Sequence, residues 1–88
     1  MNPLVWKQTA LDLLADIYVS ASVAERELIA RIVERVNRQL RDDPEAGESR
    51  SGTMRILVEL PMVFDFAVDK YGVVVVLKVR WRPSRRRS

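Results

Sequence analysis

Lys78, Arg80 and Arg82 recur at every second position near the end of the chain, with Leu77, Val79 and Trp81 interleaved. Successive side chains on an extended strand point to opposite faces, so this spacing sets a cationic row on one side and an apolar row on the other. Guanidinium forks grip phosphate or carboxylate through paired hydrogen bonds, and a lysine adds a point charge. Arg50 and Arg55 join the row if the preceding strands pair in simple register, and Arg85, Arg86 and Arg87 extend it as a basic tail. Such a surface attracts a nucleic acid or an acidic partner, although the same residues also suit the solvated face of a half-buried sheet. Trp81 and Tyr71 offer rings suited to base stacking, whereas alternation with Val79 assigns Trp81 to the core.

Other chemistry is narrowed by what the chain lacks. It has no cysteine and no histidine, which removes thiolate nucleophiles, disulfides, Ser–His triads and Cys- or His-based metal sites. Asp65, in the middle of an apolar stretch, has the chemistry of a general base, but the preferred reading is pairing with an arginine or lysine across a sheet. Asp42, Asp43 and Glu45 lack the spacing of a calcium loop and belong to a helix end and a turn. No cofactor and no metal are expected.

The chain has 88 residues, 48% of them hydrophobic and 31% charged, which fits one small globular domain over residues 1–83 with a tail at 84–88. No apolar run approaches the roughly 20 residues of a membrane span, and residues 1–6 do not read as a secretory signal, so a cytoplasmic location is expected. The net charge of +3 is unevenly spread. Acids outnumber bases nine to six up to Glu48, and bases outnumber acids nine to three beyond it. The C-terminal half is the part that draws an anion.

The elements that must position these groups follow from periodicity. Leu4-Val5-Trp6 reads as a short first strand within Pro3–Lys7. Thr9 is the predicted N-cap of a helix whose apolar face is Ala10, Leu13, Leu14, Ile17 and Tyr18. Ser22 and Glu25 have capping-box spacing, and a second helix follows with Leu28, Ile29, Ile32, Val33, Val36 and Leu40 on one side. Asp43-Pro44 ends it. Residues 44–52 read as loop. Two strands then alternate with period two on either side of Pro61. Asp69-Lys70-Tyr71-Gly72 forms a tight turn, with glycine placed for a positive φ, and leads into the last strand. The predicted fold is α+β with the order βααβββ, a helical hairpin on one face of a small, mainly antiparallel sheet.

This order resembles the RelE/ParE superfamily of type II toxin–antitoxin toxins, the plasmid-stabilisation type. The resemblance rests on the long second helix ending near Asp43-Pro44, the run Met54–Pro61, Val63–Asp69 and Val73–Trp81, the Gly47-Glu48-Ser49-Arg50 segment and the Leu60-Pro61 step. It implies a small basic toxin neutralised by an antitoxin lying across sheet and helices. RelE-type members cleave mRNA on the ribosome without metal or histidine, using basic sheet residues and a late tyrosine; ParE-type members inhibit DNA gyrase. Arg82 falls on the position of a RelE-type arginine and Arg55 on that of a lysine. Val63 stands where another arginine is expected, and no tyrosine follows Arg82. The resemblance therefore implies a binding toxin of the ParE-like or degenerate kind. The alternatives are an RNA-binding, ribosome-dependent endonuclease with Arg55 and Arg82 catalytic, or an orphan of the same fold without toxicity.

Overall fold

A computed structural model describes residues 2–46, 48–51 and 54–83. The elements are β1 (Leu4–Trp6), α1 (Gln8–Ser20), α2 (Val23–Asp42), a 3-10 turn at Pro44–Ala46, β2 (Glu48–Ser51), β3 (Met54–Glu59), β4 (Met62–Val68) and β5 (Val74–Trp81). The strands form one five-stranded sheet in the order β1-β5-β4-β3-β2. β1 runs parallel to β5, and every other pairing is antiparallel. The expected α+β order is present, with β2 added in the stretch read as loop. Glu48-Ser49-Arg50-Ser51 is polar at every position, so it carries no alternation, and it joins the sheet edge through backbone pairing with β3.

Local sequence sets the helical hairpin. Ser22 Oγ accepts from the Glu25 amide at 3.1 Å while Glu25 Oε1 accepts from the Ser22 amide at 2.8 Å, which completes the predicted capping box. Replacing Ser22 with alanine is expected to cost about 1 kcal/mol, read as a lower denaturant midpoint with an unchanged slope. α2 then buries Ile29, Ile32, Val36 and Leu40 and stops at Asp42, with Asp43 as its C-cap. Arg26 reaches back to the open end of α1, donating from Nε to the Tyr18 carbonyl at 2.8 Å and from Nη2 to the Val19 carbonyl at 3.1 Å. These bonds supply partners that a helix C-terminus otherwise lacks.

The start of α1 differs from expectation. Lys7, not Thr9, is the N-cap, and no side chain caps it. The Lys7 amide is held by the Val76 carbonyl at 2.9 Å, so the chain passes from β1 directly into the helix, and Thr9 Oγ1 instead donates to the Leu77 carbonyl. The inward stripe of α1 is also narrower than predicted. Ala10 is buried and Leu14 and Ile17 pack on the core, while Leu13 and Tyr18 are exposed.

One face of the sheet meets the hairpin. Leu57, Met62, Phe64, Phe66, Val74, Val76 and Val79 are buried there with the α2 residues and Ala10. Trp6 crosses this layer, its ring edge-on to Phe64 at 6.1 Å and its indole N–H donating to Asn37 Oδ1 at 2.9 Å. The β4–β5 turn is as expected: Gly72 has φ +82°, and Asp69 Oδ1 accepts from the Tyr71 and Val73 amides. The Leu60-Pro61 bond between β3 and β4 is cis.

β5 departs from simple alternation. Asp65 pairs with Lys78 and Phe66 with Val76, so Leu77 is an extra residue in the ladder. Val74 and Val76 face inward before this bulge, and Val79 does so after it. The phase of the strand is reset at Leu77. That reset turns Lys78 and Arg80 away from the core despite the valines that precede them.

Candidate functional site

The face of the sheet turned away from the helices is built from three cross-strand rows. Val5, Val75, Ala67 and Met54 lie side by side in the first. Lys78, Asp65 and Ile56 form the second, and Arg80, Val63 and Val58 the third. Arg82 follows just past the strand, its amide donating to the Pro61 carbonyl, and the alternation carries its side chain to the same face. The predicted cationic row therefore exists, at a spacing of about 6.7 Å between successive members.

The row is not uniformly available. Arg80 Nη2 donates to Asp65 Oδ1 at 2.6 Å, with the arginine side chain 37% exposed and the aspartate 16%. Arg80 Nε is buried without a hydrogen-bond partner. Lys78 stands directly opposite Asp65 in the register but makes no ion pair with it. Among the described residues, Lys78 and Arg82 are exposed and engage no carboxylate. Asp65, placed in an apolar stretch, thus takes the role of cross-strand partner to an arginine.

Arg55 does not join them. It pairs in register with Phe66, which is buried under the helices, so it stands on the helix side of the sheet. There its Nη2 donates to Glu45 Oε1 at 2.8 Å. Arg55 and Arg82 also lie at opposite ends of β4, opposite Phe66 and Pro61, on the order of 17 Å apart along the strand direction. Arg50 falls in β2 at the register shift between Ser49 and Ser51. Arg85, Arg86 and Arg87 lie outside the described residues.

The rings fall elsewhere too. Trp6, Phe64, Phe66 and Trp81 all belong to the helix side. Tyr71 is 77% exposed at the β4–β5 turn, the whole length of β5 away from Arg82, and lies under the Lys70 ammonium. Among the described residues no aromatic side chain stands on the open face, so the stacking platform considered from the sequence is not assembled beside the cations.

What the open face carries besides charge is apolar surface. Val5 is 50% and Val58 45% exposed, and Met54, Ile56, Ala67 and Val75 are half-buried. Sequence reasoning passed over these residues, yet a signal was present. Met54, Ile56 and Val58 are the wholly apolar phase of β3, and Leu57 stands in the other, so apolar side chains occur on both faces of the strand, as happens when both faces of a sheet are meant to be covered. A second apolar surface lies between the helices, a groove of about 540 Å³ whose walls include Leu11, Leu14, Tyr18, Ile29 and Val33. Asp42, Asp43 and Glu45 mark the end of α2 and the following turn, as read from the sequence. Among the described residues, no helix is long and apolar enough to cross a membrane.

No family model matches the sequence, and no curated protein matches it. Solved structures do match. A chain of the toxin–antitoxin complex RelBE2 from Mycobacterium tuberculosis superimposes with a TM-score of 0.74 at 17% identity, covering 92% of this chain and 98% of that one. A chain of the chromosomal ParDE toxin–antitoxin system from P. aeruginosa gives 0.72 at 24% identity, covering 96% and 98%. Likeness at such identities is a likeness of fold: the chain has the RelE/ParE toxin fold.

Proposed function

We propose, starting from the RelE/ParE toxin fold, that this chain is the toxin component of a type II toxin–antitoxin pair and acts by occupying a protein target. The observation that carries the reading is the composition of the open face: exposed Lys78 and Arg82 share it with Val5, Val58 and Val75, and no ring stands on it among the described residues. Apolar side chains flanked by cations suit a protein surface with acidic and apolar groups. Single-stranded RNA is ordinarily held by aromatic stacking as well as charge. The ribonuclease alternative needs Arg55 and Arg82 around one phosphate, and they stand on opposite sides of the sheet. The two structures described above come from toxin–antitoxin systems, which supports an antitoxin as the second partner. The proposed site of action is the cytoplasm, with DNA gyrase the first target to test and no cofactor required.

Induction of the chain in cells tests this. Growth arrest with intact mRNA and altered plasmid supercoiling is expected. Replacing Lys78 and Arg82 together with glutamine should relieve the arrest while leaving stability nearly unchanged, since exposed substitutions shift it by about 0.5 kcal/mol each. Codon-phased mRNA cuts lost in Arg82→Ala would instead establish the endonuclease. Absence of any phenotype would identify a non-toxic orphan.

A further inference from the structure

We infer that Asp65 is a specificity-determining residue of the open face, masking Arg80 so that the cationic row rejects nucleic acid while still accepting a protein. This rests on the protein-target reading above and adds a mechanism of discrimination to it. Three cations spaced at about 6.7 Å match the repeat of an extended polyanion closely enough that the bare row would bind RNA or DNA phosphates without regard to sequence. A protein made alongside abundant nucleic acid needs a means to avoid that.

Asp65 supplies one through its position. It lies in the middle strand row, opposite Lys78 and diagonal to Arg80, and takes the Arg80 guanidinium at 2.6 Å. The contact engages the Arg80 Nη2 group and sets a negative charge beside Lys78 and Arg80. An arriving phosphate must displace that carboxylate or be repelled by it. Because the Asp65 side chain is only 16% exposed, solvent screens the pair less than it screens an exposed one. Lys78 and Arg82 remain open, two cations about 13 Å apart along the strand. That spacing is too wide for neighbouring phosphates but compatible with separate acidic side chains of a folded partner.

The test uses poly(U) as the polyanion and measures affinity against salt for the parent chain and the Asp65→Asn, Arg80→Gln and double variants. Each phosphate contact on a single strand contributes about 0.7 to the slope of log K against log salt. Asp65→Asn is expected to bind about tenfold more tightly at low salt and to steepen the slope by about 0.7. In the Arg80→Gln background the added slope should vanish, leaving only the smaller gain from a lost negative charge. Equal gains in both backgrounds, or an unchanged slope in Asp65→Asn, overturn the inference. Asp65→Ser provides a second removal of the carboxylate, and thermal melting identifies any variant that has unfolded. Failure here is separable from failure of the protein-target reading. That reading depends on arrest with intact mRNA in cells, whereas the mask depends on a slope measured with purified chain.

Discussion

Truncating Phe64 to alanine is expected to remove about 3–5 kcal/mol of stability, a large part of the 5–15 kcal/mol typical of a domain. Phe64 is fully buried in β4, paired with Leu57 on one side and Val79 on the other. Its ring also packs at right angles to that of Trp6, which is tied to α2 through Asn37. The substitution therefore empties the layer where the sheet, β1 and the second helix meet, and close-packed surroundings refill such a space only in part. For a chain of this length the melting temperature should fall by on the order of 15 °C or more. A loss below about 1 kcal/mol would show that the hairpin does not pack here, and the division of the sheet into a covered and an open face would fail with it.

The second large effect concerns that open face. Val58→Asp should leave the fold nearly intact, because Val58 is 45% exposed at the end of a cross-strand row. Placed against a partner, however, the new carboxylate is desolvated beside Val63 with no assigned counter-charge, and an unpaired charge in that setting costs several kcal/mol. Affinity for the target should drop at least about a hundredfold, equivalent to about 2.7 kcal/mol. Growth arrest should then disappear at an inducer level that stops cells carrying the parent chain. Val58→Ala is the control and should retain arrest. Undiminished arrest in Val58→Asp, with the protein folded, would mean that the target is engaged elsewhere on the surface.

Which parts of this were legible in the sequence follows from how local each determinant is. The Ser22–Glu25 box, the Asp43-Pro44 stop and the Gly72 turn depend on a few adjacent residues, and all were readable. Arg55 was misplaced because the wholly apolar phase of β3 is Met54, Ile56 and Val58, so alternation pointed Arg55 outward, while the sequence alone does not settle which phase meets the helices. Only its pairing with Phe66 decides that. β2 escaped because Glu48-Ser49-Arg50-Ser51 is polar at every position and shows no alternation. The split of the row into an occupied Arg80 and exposed Lys78 and Arg82 came from a diagonal contact that no spacing within one strand can reveal.

The extra residue at Leu77 has a further consequence, for how the final hairpin finds its partner. Were β5 to zip against β4 without it, every position beyond Val76 would invert, and Lys78, Arg80 and Arg82 would be driven beneath the helices. Burying even one unpaired cation costs several kcal/mol, so such a slipped arrangement has no stable form to trap the chain. The residues proposed to meet a partner would thus also proofread assembly: misaligned strands are expelled by the charges that the correct alignment leaves in water.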